Sequence, residues 1–224
     1  MHRTAVLGLV ALVLAVALVA AEESKGAGEE GFVPLFNGKD LTGWVGSVKG
    51  YVVENGSLVC LKAGGGNLFT EKEYADFHLK FDFKLEPNAN NGVGIRSPLQ
   101  GNPAYAAMEI QVLDDSGSAY TKLQPYQYHG SIYGVVPCKR GHQKPVGEWN
   151  SEEIIAKGTR ITVILNGVTI VDADLQPFID GTQKCADGGD ITKHPGLKNT
   201  KGHIGFLGHG SRVEFRNIRI KELK

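Results

Sequence analysis

Phe77-His78-Leu79-Lys80-Phe81-Asp82-Phe83-Lys84-Leu85 alternates without error, apolar at odd positions and polar at even ones. Successive side chains of a strand point to opposite faces, so this run predicts a strand with one buried and one wet face. Further along, Thr159 to Leu165 runs into Asn166-Gly167 and resumes as Val168-Thr169-Ile170-Val171-Asp172. Asn-Gly between β-branched runs predicts a two-residue hairpin. Near the end, Val213 and Phe215 are in one phase and Ile218 and Ile220 in the other, which predicts a bulge at Arg216-Asn217. No stretch predicts an amphipathic helix of useful length. Many short strands with glycine-rich turns mean an all-β sandwich or barrel, and the chain holds 30 glycines. Two segments read as irregular, Ser97 to Ala107 and Asp174 to Asn199; loops of that length in a compact domain are usually functional or mobile.

With 224 residues, one domain is expected. Lys+Arg and Asp+Glu both number 24, so no basic excess exists to neutralise phosphates, which argues against nucleic acid as a partner. Arg3, the apolar stretch Ala5 to Val19 and the small residues Val19-Ala20-Ala21 form a signal-peptide pattern over residues 1–21. Its apolar core is short for a bilayer span. Residues 22–31 read as a flexible acidic and glycine-bearing linker, and residues 32–224 as the folded domain. No second apolar run follows, so the mature chain is expected to be exported to the periplasm or beyond, without a membrane span. In an oxidising compartment one cysteine pair can form, and Cys138 and Cys185 lie in loop-like sequence as the expected pair, with Cys60 buried.

The chemistry-bearing run is Met108-Glu109-Ile110-Gln111-Val112-Leu113-Asp114-Asp115. Met108, Ile110 and Val112 share one face and Glu109 and Gln111 the other. A carboxylate beside an amide on one strand face is costly unless that face meets water or a ligand. Asp114 lies five residues from Glu109, which puts it on the opposite face unless a bulge intervenes; with Asp115-Ser116-Gly117 it reads as a turn. Upstream, Asn91-Gly92-Val93-Gly94-Ile95-Arg96-Ser97 reads as a second strand carrying one cation.

Several phrases together resemble the 3-keto-disaccharide hydrolase family of 3-keto-glycoside-cleaving enzymes. They are Leu35-Phe36-Asn37-Gly38-Lys39-Asp40-Leu41-Thr42-Gly43-Trp44, the Asn91–Ser97 and Glu109–Asp114 runs, Gly130-Ser131-Ile132-Tyr133, Lys144-Pro145-Val146-Gly147-Glu148-Trp149-Asn150, and His209-Gly210 followed by Val213 to Ile218. The likeness spans about Phe32 to Leu223. It implies a concanavalin A-like jelly-roll β-sandwich of two antiparallel sheets acting on sugars already oxidised at carbon 3. It further implies cleavage by elimination: a base removes the acidified C2 proton, the glycosidic oxygen leaves C1, and water adds to the enone. Such chemistry needs a base near C2, a positive group or metal at the C3 oxygen, and an acid for the leaving group.

On that reading Glu109 is the base, Arg96 the enolate stabiliser, and His209 or His129 the acid or a metal ligand. Tyr133 serves as acid or stacking platform. Gln111, Asp114, Asn91, Lys144, Glu148 and Trp149 are further candidates for holding the sugar, although core packing suits Trp149 and an exposed ion pair suits Lys144 and Glu148. No cofactor is certain from sequence. A divalent metal ion assembled from separate strands stays open, since no His-x-His or His-Glu-x-x-His spacing exists. The oligomeric state is not readable. Two other readings compete. One is a lectin-like carbohydrate-binding domain. The other is a laminarinase-like retaining glycosidase, whose two carboxyl groups must lie about 5–5.5 Å apart.

Overall fold

The computed structural model describes residues 29–224. The expected signal peptide, residues 1–21, and most of the expected linker lie outside the described residues. Glu29, from the linker's end, pairs with Lys80 and Arg219. No helix among the described residues is long and apolar enough to cross a membrane.

The fold is an all-β sandwich of two antiparallel sheets. The eight-stranded sheet contains β1 (Val33–Pro34), β3 (Tyr51–Glu54), β4 (Ser57–Cys60), β6 (Phe77–Leu85), β9 (Asn150–Lys157), β10 (Arg160–Leu165), β11 (Val168–Asp174) and β13 (Val213–Glu222). The five-stranded sheet contains β2 (Trp44–Gly46), β5 (Asn67–Tyr74), β7 (Asn90–Ser97), β8 (Met108–Leu113) and β12 (Gly202–Leu207). Its order is β2-β5-β12-β7-β8, so β8 lies at the edge.

The alternation of β6 produces the core directly. Phe77, Leu79, Phe81 and Phe83 are wholly buried, while the even residues reach solvent in part. Phe81 meets Phe206 and Phe215 edge-on at 6.0 Å each, and Phe206 lies 4.1 Å from Phe215. Truncating a ring in such a cluster costs about 3–5 kcal/mol. The Asn166-Gly167 hairpin turn joins β10 to β11 with φ of 49° and 82°, the left-handed geometry a two-residue turn requires. The bulge falls at Asn217 (φ 53°), where β13 shifts register against β6 between Arg216 and Arg219. Beyond it, the strand exchanges β4 for β1 as its other neighbour.

The two irregular segments carry α1 (Pro103–Ala106) and α2 (Gln176–Ile179), each a single turn. The expected Cys138–Cys185 pair is overturned, since Cys60, Cys138 and Cys185 are all free thiols, while Cys60 is buried as expected.

Candidate active site

Strand β8 faces two ways. Met108, Ile110 and Val112 are buried in the inter-sheet core, and Glu109, Gln111 and Leu113 line a cavity of about 320 Å³ on the outer side. Being at the edge, β8 offers free main-chain groups, and the segment 130–136 takes them. Gly130 N–H donates to Gln111 O (2.7 Å), Gln111 N–H to Ser131 O (3.0 Å), and Tyr133 N–H to Glu109 O (2.9 Å). This lacing sets Tyr133 in the cavity wall beside Glu109.

Under Glu109 lies β7, where Gly92 faces Gln111 and Gly94 faces Glu109 in the ladder. A methyl group on Gly92 would sit 2.1 Å from Glu109 Oε1, so the carboxylate rests directly over the bare strand. From beyond β12, Gly208-His209-Gly210 brings His209 Nε2 to 3.4 Å from Glu109 Oε1. The Glu109 side chain is 5% exposed and that of His209 47%, so the pair joins a buried anion to a solvent-reaching imidazole. The hydrogen bond that His209 donates to Glu109 raises the His209 pKa above its ordinary 6.5, against an opposing push from burial.

The opposite wall comes from residues that the sequence did not single out. Asn102 caps α1 through Ala104 N–H (3.1 Å), and Pro103 starts the helical turn, presenting Tyr105. The Tyr105 ring leans on buried His194 at 5.3 Å, which is held in turn by Asp187 at 3.0 Å. Ala104, Tyr120, Leu123, Gln127 and Asn90 complete the lining. Gln127 Nε2 donates to the Tyr133 hydroxyl at 3.3 Å. The only sign of these residues in the sequence was the irregularity of Ser97–Ala107 and the aromatic cluster around Tyr126 to His129.

Several expected site residues stand elsewhere. Arg96 does not reach the cavity. Between the pairs Gly94–Gly205 and Ser97–His203, β7 holds one residue more than β12, and Arg96 adopts φ 50° there. The bulge sends its guanidinium to Ala75 O (2.8 Å), Gly158 O (2.8 Å) and Asp76 Oδ1 (2.9 Å), where it ties two turns together. His129 is buried against Phe83 at 4.8 Å, with Nδ1 accepting from Leu113 N–H and Nε2 facing Glu152 at 3.1 Å. Asp114 accepts from Asn88 N–H (2.7 Å) and from the amide and hydroxyl of Ser116 (3.0 and 2.6 Å), the turn role. Asn91 is fully buried on the core face of β7, opposite in sense to Gly92. Trp149 lies between Lys84 and Arg216 on the outer side of the eight-stranded sheet, at 4.9 and 4.0 Å. Lys144 donates to Trp149 O, and Glu148 is exposed on the same loop.

The donor set does not fit a preformed divalent-cation cage. Among the described residues no three of His, Cys, Asp and Glu converge, and the cavity offers one carboxylate and one imidazole where a catalytic zinc takes three protein ligands. Glu109 and His209 form a carboxylate–imidazole pair, with the uncharged donors and acceptors of Gln111, Gln127, Tyr120 and Tyr133 around them.

Residues 31–221 match the family model described as the 3-keto-alpha-glucoside-1,2-lyase-like domain. A 3-keto-disaccharide hydrolase of Bacteroides thetaiotaomicron is 27% identical over 229 residues, covering 87% of this chain and 79% of that protein. The crystal structure of a candidate glycosyl hydrolase from Parabacteroides distasonis superposes with TM-score 0.74 at 33% identity, covering 86% of this chain and 99% of the other. A second from the same organism gives 0.69 at 30% identity, with 87% and 95% covered. A Bacillus subtilis protein with a galectin-like fold, 14% identical with TM-score 0.53 over 85% and 94% of the two chains, shares the jelly roll alone. This chain belongs to the 3-keto-alpha-glucoside-1,2-lyase-like domain family.

Proposed function

We propose that the protein cleaves glycosides carrying a ketone at C3, by elimination followed by hydration. Glu109 takes the C2 proton, and the electron pair moves toward the C3 oxygen. When the carbonyl re-forms, C1=C2 develops, the C1–O bond breaks, and the departing oxygen takes a proton from the imidazolium of His209. Water then adds at C1, His209 accepting its proton while Glu109 returns one to C2. The net reaction is hydrolysis.

The observation that carries this reading is the single buried carboxylate held 3.4 Å from one imidazole over a bare glycine strand. One base and one acid suffice for elimination next to a ketone. A retaining glycosidase needs a second carboxyl about 5–5.5 Å from the first, and Glu109 is the one carboxylate lining the cavity among the described residues. A convergent acid–base pair at the floor also favours an enzyme over a lectin-like module. Export follows as part of the proposal from the apolar stretch Ala5 to Val19.

The test is cleavage of a 3-keto-glucoside followed by NMR in D2O, across pH and with or without divalent metals. Wild-type protein should cleave it and incorporate deuterium at C2. Glu109→Gln should lose about 10²–10⁴-fold in kcat while keeping its unfolding midpoint. Intact substrate under all those conditions defeats the proposal.

A further inference from the structure

Elimination places negative charge on the C3 oxygen, and Arg96, the cation that the sequence offered for it, is outside the cavity. We propose that the Tyr133 hydroxyl is the donor to that oxygen, and that Gln127 is the positioning residue that leaves its proton free. This rests on the 3-keto reading above.

The argument follows the direction of three hydrogen bonds. Gln124 and Gln127 close a reciprocal cap on the helical turn Pro125–Gln127, and Gln124 N–H donates to Gln127 Oε1 at 2.9 Å. A backbone N–H can only donate, so the amide oxygen of Gln127 must face it and the amide nitrogen must face the other way. That nitrogen lies 3.3 Å from the Tyr133 oxygen and can only donate in its turn. Tyr133 is thereby made the acceptor in this contact, and its own proton has no protein acceptor among the described residues. The ring stands in the cavity wall, edge-on to Tyr126 at 6.1 Å, and its main chain is laced to Glu109. A hydroxyl fixed by a donor behind it in the wall of a half-open cavity is the arrangement of a neutral oxyanion donor, needing no reorganisation as charge develops. No proton need transfer. The C2 proton goes to Glu109, the C3 oxygen gains charge while Tyr133 O–H donates to it, and the charge returns into the C3 carbonyl as the C1–O bond breaks.

Gln127→Glu tests the chain of directions. The carboxylate keeps an oxygen toward Gln124 N–H and puts a second acceptor where the amide nitrogen was. It therefore captures the Tyr133 proton and turns it away from the substrate. The readouts are kcat, KM and the rate of C2 deuterium exchange on a 3-keto-glucoside for Tyr133→Phe, Gln127→Glu and the double variant. Tyr133→Phe should lose about 10²–10³-fold in kcat, as removal of one oxyanion donor does. Gln127→Glu should lose a large part of that with little change in KM, and the double variant should be no slower than Tyr133→Phe alone. Tyr133→Phe exchanging C2 at the wild-type rate overturns the proposal, as does a double variant slower by the product of the single losses. Wild-type cleavage without any C2 exchange overturns the elimination reading instead, so the two failures are separable. If Gln127→Glu unfolds, the exchange rate of Tyr133→Phe decides alone, because that change deletes one oxygen from a partly exposed ring.

Discussion

Gly92→Ala places a single methyl group under the carboxylate of Glu109. Gly92 is in extended backbone in the middle of β7, so alanine meets no strain in φ, and the main obstacle is the Glu109 side chain. The new carbon would stand 2.1 Å from Oε1 and 2.8 Å from Cγ and Cδ. Ordinary contact begins at 3.4 Å, so the carboxylate must retreat by about 1.3 Å, outward into the cavity. A misplacement of about 1 Å at a reacting group costs about 100-fold in rate, equivalent to about 2.7 kcal/mol in the barrier. Stability should barely follow, because the displaced group has open space before it and alanine relieves the entropy cost of a strand glycine, about 0.5–1 kcal/mol. The assay is kcat for 3-keto-glucoside cleavage beside a thermal melt. Gly94→Ala is the matched control on the same strand face, its methyl meeting Leu207 at an ordinary 3.4 Å. Gly94→Ala should stay within about twofold of wild type, the scale of a neutral substitution. A Gly92→Ala enzyme with wild-type kcat would refute the claim that Glu109 must lie where the bare strand holds it.

Two further outcomes follow from named contacts. Arg96→Met strips the hydrogen-bond donor from three carbonyls and from the partly exposed Asp76, and should cost about 1–3 kcal/mol of stability; the folded protein, assayed well below its melt, should keep its kcat, and a collapse there would return Arg96 to the chemistry. His209 should titrate by NMR above 6.5 and drop to 6.5 or below in Glu109→Gln, since burial alone lowers it. Because its folded pKa is raised, the Glu109–His209 contact stabilises the protein fully below pH 6.5 and less as pH climbs through the raised value. An unmoved midpoint in the variant would mean that the contact is not made in solution.

What could be read from the sequence was what a regular period encodes. The period of two in Phe77–Leu85 has a single cause, burial of one face, and it carried straight through to the aromatic core. The same arithmetic put Glu109 and Gln111 together and Asp114 apart, because β8 is regular along its length. It does not extend to Arg96: alternation from Gly92 and Gly94 points into the cleft, but an extra residue with positive φ reverses the direction. A bulge leaves no mark in composition when its residue is an arginine and not a glycine. Tyr105, Tyr120 and Gln127 were missed for a different reason: they stand on irregular segments whose main-chain bonds close single turns, to Asn102, Gly117 and Gln124, so no strand period encodes their direction. His129 misled because an aromatic cluster beside a glycine describes a buried corner as well as a binding loop.

The edge position of β8 has a consequence for how this site can vary. Glu109 and Tyr133 are joined by main-chain bonds between an edge strand and the segment that closes it, so their spacing is a matter of backbone register and not of side-chain identity. The walls that would meet the rest of a substrate, around Tyr105, Tyr120 and Leu123, hang on separate loops outside that ladder. Length and sequence in those loops can drift without disturbing the reacting groups. The same closure also denies a neighbouring chain the unpaired strand that would otherwise lie beside the reactive carboxylate. On the proposed function, a rim free to diversify around a zipped centre would let the same sheet take sugars of different shape.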